Sequence, residues 1–471
     1  MFRPVNDKVI AMTNRLLMTI NTTRAARVLL LLIFSFALPG FGSLAVASES
    51  MHATIEKYEG SKTCLECHDT LGKEVTESIH YKGRGPAPNL TGDEPGKQYG
   101  FLSGSCIPGI TNAGNNWLTM VPAKEAGKEG FAAGCALCHA GTGLKPAEKI
   151  EEAEYSNIDC LICHGPDYKR TVVKDSAKGN PTGYKIVPSP GIDALKSAQK
   201  AQKPTAEMCL RSHTMVGGGP NFKHGTIPTV DSDVHFSMGM NCTECHTVKN
   251  HRIAGGSDLL VQDAPEIKVV CTNCHDAAPH KGKTDQEKEN AAALNRHAER
   301  FACPTCHVPA IARDGLMPTM VAQDWSKPKR DPLSGFFLPT TKLEENVKPE
   351  YYWWIRLVRP NGEPVGSRTA HGASLSPWKK VTYTLIVDEK SGNPVNLNLA
   401  TYWATGDVSA AAKKGADDAK QPYSGKWKTQ VENHYYSINH QVAPKKEAYR
   451  CINCHAEKSI IDFKALKRQR L

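Results

Sequence analysis

Apolar residues are spread thinly along this chain, and only one stretch gathers them into a long run. Residues 28–38 are almost wholly apolar, follow Arg24 and Arg27, and are closed by Pro39 and Gly40. With Ala45-Val46-Ala47 just beyond, the pattern is that of an export signal over residues 1–47, and it is too short for a membrane span. The competing reading is an uncleaved anchor. The stretch before Arg24 is long for a signal, so Met12 and Met18 are alternative starts. No Cys follows the cleavage point, which argues against a lipoprotein. His52 lies so near the new N-terminus that it is expected to be disordered. After the signal the pattern is one of short helices and loops. Asp193 caps a helix over residues 194–201 that Pro204 ends, and Thr205 caps the next, which carries Cys209 and His213. Residues 287–300 are Ala-rich and helical in composition. Gly217-Gly218-Gly219-Pro220 reads as a turn or loop. Strand-like alternation is confined to Val381, Tyr383, Leu385 and Val387, with a turn at Ser391-Gly392-Asn393 and Val395 beyond, which predicts a small hairpin. The expected fold is mainly α with long loops and little β.

Four segments follow: the signal at 1–47, a Cys- and His-dense body at 48–315, an aromatic-rich region at 316–445, and a last motif with a basic tail at 446–471. The third segment holds most of the Trp and Tyr, among them Trp325, Trp353, Trp354, Trp378, Tyr402 and Trp427. Its expected role is packing over the body; carbohydrate binding is the alternative for such aromatics.

Chemistry enters with the cysteines. Fourteen of the 16 Cys in 471 residues fall into seven copies of Cys-x-x-Cys-His, where random order would give about 0.02 copies. This is the attachment signature of c-type haem. The copies are Cys64/Cys67/His68, Cys135/Cys138/His139, Cys160/Cys163/His164, Cys242/Cys245/His246, Cys271/Cys274/His275, Cys303/Cys306/His307 and Cys451/Cys454/His455. Zinc sites or disulfides do not explain a His after every second Cys. The formal charge of +10 changes meaning here. Removing residues 1–47 leaves +6, and haem propionates, about two per haem against one net positive charge on ferric haem, bring the protein near neutrality. No nucleic-acid partner is read from this balance.

The two thioethers fix each porphyrin and place the adjacent His under the iron; electron carriage then calls for a second His on the far face. The distal His expected are His80, His224, His235, His251, His280, His297 and His440, with His371 and His434 weaker. Seven distal His across eight sites leave one iron with a different ligand or an open face. The eighth site is a broken motif, Cys209-Leu-Arg-Ser212-His213. A haem held there by Cys209 alone is favoured, against an empty site or a sequence error. Cys106 belongs to no motif and is either a buried inert Cys or a reactive thiol.

The loops around the motifs resemble one family, the octahaem tetrathionate reductases. The stretches that carry the resemblance are Asn157-Ile-Asp-Cys-Leu-Ile-Cys-His164, Gly217-Gly-Gly-Pro-Asn-Phe-Lys-His-Gly225, Asp233-Val-His-Phe236, Gly239-Met-Asn-Cys-Thr-Glu-Cys-His246, Lys249-Asn-His-Arg-Ile-Ala-Gly255, Phe301-Ala-Cys-Pro-Thr-Cys-His-Val-Pro309 and Asn439-His-Gln-Val-Ala-Pro444. Ser212 departs from the family pattern, which has Cys. The resemblance implies eight packed haems c, seven of them bis-His. It further implies a catalytic haem at the second motif with a Lys amine on its distal side and a Cys and an Asp nearby. By position these are Lys196, Cys106 and Asp193, with Lys200 and Lys203 competing for the amine. A Lys must be neutral to bind iron, so its pKa must fall through burial and metal contact.

The expected activity is two-electron reduction of tetrathionate, splitting its central S–S bond into two thiosulfates; a thiolate beside the iron suits sulfur chemistry. Nitrite and hydroxylamine are alternatives of the same class. A periplasmic electron carrier that turns nothing over is the alternative of another class. The expected partners are an electron-donor protein or quinol-linked cytochrome and a small anionic substrate, with no membrane span in the mature chain.

Overall fold

The computed structural model describes residues 51–468 apart from 93–98, 101–116, 122–130, 134, 178–179, 181–182, 214–226, 256–260, 314, 316 and 333. The export signal, Cys106, His224 and the Gly217–Pro220 turn therefore lie outside the described residues. No helix among those described is long and apolar enough to cross a membrane.

The motif-bearing body is built from short helices. In chain order those used below are α1 (Ser61–Leu65), α2 (Leu71–Glu77), α3 (Leu161–His164), α4 (Ala194–Gln199), α5 (Ala206–His213), α6 (Cys242–Cys245), α7 (Asp285–Ala298), α8 (Pro304–His307) and α9 (Cys451–His455). Capping chemistry sets their starts. Asp193 accepts from Lys196 N at 3.1 Å to open α4. Thr284 and Glu287 form a reciprocal capping box that opens α7.

The region beyond residue 316 departs from expectation. In place of a small hairpin it holds a mixed five-stranded sheet: β1 (Thr319–Arg330), β2 (Phe337–Glu344), β3 (Glu350–Trp354), β4 (Ser374–Asp388) and β5 (Trp427–Ser437). The fold is therefore helical and sheet-bearing rather than mainly α. β4 is central. It pairs parallel with β1 through Thr382–Thr384, antiparallel with β3 through Ser374–Trp378, and antiparallel with β5 through Trp378–Asp388. The alternating Val381, Tyr383, Leu385 and Val387 are buried, as the pattern requires of one face. The Ser391 turn forms as expected, tied by Asp388 accepting from Ser391 N at 2.8 Å. The chain beyond it then makes only an isolated bridge, Val387 to Pro394, and the true partner of β4 arrives some forty residues later. Trp325, Tyr383, Tyr402 and their neighbours form the sheet's core, so most of these aromatics are structural. The sheet meets the body through Leu375, whose N–H and C=O pair with Arg300 and Ala302 just before the Cys303 motif.

Candidate haem-binding sites

The motifs are numbered 1 to 8 in chain order, site 4 being the broken one at Cys209. In seven sites the motif His faces a second imidazole. The ring centroids lie 6.2 Å apart for His68 and His52 (site 1), 6.4 Å for His164 and His251 (site 3), 6.2 Å for His213 and His80 (site 4), and 6.1 Å for His246 and His440 (site 5). They lie 6.1 Å apart for His275 and His235 (site 6), 6.4 Å for His307 and His280 (site 7), and 6.1 Å for His455 and His297 (site 8). Rings in van der Waals contact sit closer than this. A metal-bound imidazole nitrogen stands about 2 Å from the metal, so two rings on opposite sides of one iron have centroids about 6 Å apart. The spacing repeats across seven independent pairs and fits an iron between each.

The outer nitrogens are oriented to match. Nδ1 of His52, His164 and His246 donates to the carbonyls of Ala201, Gln202 and Ala254 at 3.1, 2.9 and 2.9 Å. Nδ1 of His280 meets Asn295 Oδ1 at 2.9 Å, and that of His251 meets Glu74 Oε2 at 2.9 Å. Each such bond fixes the ring and leaves Nε2 as the nitrogen that would hold a metal. Burial lowers the pKa of His80, His164, His213 and His307, which favours the neutral form that binds iron, and pushes His213 down to about 4.

Six of the seven expected distal His, all but His224, occupy these pairs. The seventh partner is His52, for which sequence reading expects disorder; instead its ring is anchored on Ala201 and faces His68. His371 is exposed. His434 is buried edge-on to Tyr383 with Nε2 3.3 Å from Glu432, so neither is placed as a ligand.

The motif thiols differ in their surroundings. The described Cys are all free thiols, so among them no disulfide competes for the sulfurs. Cys67, expected to carry the second thioether of site 1, is exposed, as are Cys245, Cys271, Cys274 and Cys451. The cause at Cys67 is local. α1 stops at Leu65, and residues 66–70 run along the surface, with Cys67 N donating to the Cys64 carbonyl at 3.2 Å. Packing therefore covers the half-buried Cys64 but not Cys67.

Site 2 is built differently. His139 is buried with no second imidazole facing it among the described residues. Trp117 packs edge-on at 4.8 Å, Tyr81 lies 4.9 Å away, and Nε2 donates to the Tyr81 carbonyl. Burial is the main cause of its pKa, pushed down to about 3. The motif loop is clamped by Arg170, which donates to the carbonyls of Leu137 at 2.8 Å, His139 at 2.7 Å and Gly141 at 3.0 Å, and pairs with Asp159 at 3.1 Å. Sequence reading missed Arg170, because its partners lie up to 33 residues away. Lys196 and Asp193 pair with each other at 3.4 Å at the start of α4, with side chains 74% and 48% exposed. Binding iron would require Lys196 to leave that pair and lose its water.

Neighbouring sites touch. Cys64 lies against Cys160, Cys209 against Cys242 and Cys271 against Cys303, so the first Cys of sites 1 and 3, 4 and 5, and 6 and 7 meet in pairs. Arg211 in α5 donates to the Gly165 carbonyl at 2.7 Å, joining site 4 to site 3. Cys245 and Cys274 lie close enough to interact, as do Cys306 and Cys454, joining 5 to 6 and 7 to 8. Site 2 meets site 4: Ala140 N donates to the His80 carbonyl at 2.9 Å, and Cys138 Sγ lies 4.0 Å from the Ser212 carbonyl.

A family model described as "Cytochrome c bacterial" matches residues 339–458. An uncharacterised protein of Archaeoglobus fulgidus is 31% identical over 235 residues, spanning 43% of this chain and 78% of that protein. The crystal structure of octaheme cytochrome c from Shewanella oneidensis superposes with a TM-score of 0.65 at 26% identity, over 88% of this chain and 96% of that one. Repeated attachment motifs, seven facing imidazole pairs and these relatives together identify the chain as a multihaem c-type cytochrome.

Proposed function

We propose that this is an exported, periplasmic octahaem cytochrome that reduces a small oxyanion at site 2, tetrathionate to two thiosulfates being the first choice. Haem c would be held by the two Cys of each intact motif and by Cys209 alone at site 4. Bound haem supplies one-electron carriage at each site and, where no second protein ligand closes the iron, a position for substrate. The observation that carries the reading is the contrast between His139 and the other seven motif His: each of those faces an imidazole, whereas His139 faces Tyr81 and Trp117. Reduction of tetrathionate takes two electrons and breaks one S–S bond, and the adjoining sites offer a store from which both can come. Within the chain, Arg170 keeps the His139 loop in place. The assignment of Lys196 as a displaceable amine, with Cys106 and Asp193 beside it, belongs to this proposal. Electrons would come from a donor protein or quinol-linked cytochrome.

A pure electron carrier is the second reading, and one observation favours weighing it. Because His52 serves site 1, His224 is left spare and could close site 2. One experiment separates the two. Pre-reduced protein is mixed with tetrathionate, nitrite or hydroxylamine while haem reoxidation is followed, in the parent and in His224→Ala. The reductase reading expects rapid reoxidation by tetrathionate in both. Conversion of a low-spin haem to high-spin in His224→Ala, with no substrate oxidising the parent, establishes the carrier instead. Full activity in both Lys196→Ala and Cys106→Ala would remove those residues from the catalytic set.

A further inference from the structure

We infer that Glu74 is a positioning residue that gives His251 imidazolate character and thereby lowers the reduction potential of site 3; the inference rests on reading His164 and His251 as an axial pair.

The geometry around His251 is unusual on three counts. First, the residue sits at the tip of a two-residue hairpin between Val248–Lys249 and Arg252–Ile253, with φ of 51° at Asn250 and 58° at His251. Such turns require positive φ at both central positions, and the second is normally Gly. A side chain with a Cβ is disfavoured there by about 1 kcal/mol, so something other than turn chemistry keeps a His in place. Second, the hairpin is held from behind. Ile253 N donates to Asp263 Oδ2 at 3.0 Å, and Arg252 pairs with Glu266. The ring is thus aimed by its backbone rather than left to swing. Third, its Nδ1 meets Glu74 Oε2 at 2.9 Å, from a helix 177 residues earlier in the chain that directly follows motif 1.

The acceptor is what distinguishes this ring. His52, His164 and His246 donate to backbone carbonyls and His280 to an amide oxygen. Asp233 stands 3.4 Å from His235 Nδ1. Its carboxylate, however, already caps a helix through His235 N at 2.9 Å and Phe236 N at 3.3 Å and takes Val442 N at 3.0 Å. Glu74 offers a half-buried carboxylate to its ring, with the two side chains 29% and 30% exposed. A carboxylate accepting from the outer N–H of a metal-bound imidazole raises the basicity of the ligating nitrogen. A more basic axial nitrogen favours ferric over ferrous iron, and axial ligation and hydrogen bonding are the levers that set haem potential. Lys73, Lys82, Arg84 and Arg252 line the same open cleft as Glu74.

Glu74→Gln keeps the shape of the contact and removes its charge. The readouts are intact mass, to show an unchanged haem count, and a potentiometric titration followed by near-infrared magnetic circular dichroism and electron paramagnetic resonance. One low-spin component should titrate at a higher potential in Glu74→Gln, and its charge-transfer band should move to where the other bis-imidazole components lie. His251→Ala is the companion variant and should convert one low-spin haem to high-spin. Unchanged potentials in Glu74→Gln, with that conversion present in His251→Ala, overturn the role of Glu74 and spare the ligand pair. No conversion in His251→Ala overturns the pair and the inference with it.

Discussion

At the scale of single residues, the strongest constraint on site 2 is Arg170. Its guanidinium has few water contacts and spends its donors on carbonyls of the motif loop and on Asp159, itself only 4% exposed at the side chain. Burial pushes the Asp159 carboxyl above its ordinary range, and Arg170 together with Tyr168 pulls it back. Arg170→Met should therefore strand a buried carboxylate and cost about 3–5 kcal/mol, the usual penalty for removing one partner of a buried pair. The sign of the pH effect follows. A carboxyl whose folded pKa lies above its unfolded value binds protons more tightly when folded, so its folded form is favoured in acid and loses ground as pH rises through that value. Without Arg170 the upward shift grows. Denaturant titrations of Arg170→Met should show the deficit largest at neutral pH and shrinking toward the ordinary carboxylate range. A deficit independent of pH would mean that Asp159 is not the group left stranded.

At the scale of elements, what could be read from sequence depended on how local the determinant was. Attachment motifs are covalent signatures confined to five residues, and the start of α4 is written in the Asp193 cap, so both were legible, whereas α7 was placed at 287–300 and its Thr284 cap was missed. The surroundings of each sulfur were not, since the exposure of Cys67 follows from where α1 stops and what packs on Cys64. Six distal His were legible because eight sites create a demand for ligands. His52 was not, since its anchor, the Ala201 carbonyl, lies 149 residues away. The sheet was misjudged for the same reason: β4 carries the alternation, but its partners β1, β3 and β5 arrive from distant segments and only tertiary pairing shows them. The α7 helix shows how a local signal reaches a site. Its Asn295 holds His280 at 2.9 Å, and its His297 faces His455. Thr284→Ala opens the capping box and should cost about 1 kcal/mol. Hydrogen exchange should speed up in the first turn of α7 while haem content stays the same. Conversion of the haems of sites 7 and 8 from low-spin to high-spin instead would show that the cap, rather than packing, holds those ligands.

At the scale of the whole molecule, the contacts between sites form a line, 1–3–4–5–6–7–8, with site 2 attached at site 4 and also at site 3, where Asp159 N donates to the Ala140 carbonyl at 3.1 Å. One junction is thus the site with the broken motif, and its retention depends on different bonds from the rest. An intact site keeps its haem by two thioethers even when a ligand is lost. With Ser212 in place of the second Cys, site 4 leans on Cys209 and on iron bonds from His213 and His80. Both rings are well placed: His213 is carried by α5, pinned through Arg211 to Gly165, and His80 sits in a short helix, Ile79–Lys82, with its own carbonyl receiving Ala140 N. The single thioether should therefore suffice in the parent, and intact mass should count eight haems. His80→Ala removes one of the two iron bonds, and its mass distribution should gain a seven-haem species. In the double variant Ser212→Cys with His80→Ala the second thioether should return the count to eight while the site stays five-coordinate. Electron delivery to site 2 should slow in both variants, because site 4 is one of the two sites, with site 3, that touch it among the described residues. Seven haems in the parent would mean that the junction holds no haem and that site 2 is reached by another route; eight in His80→Ala alone would mean that Cys209 and His213 are enough.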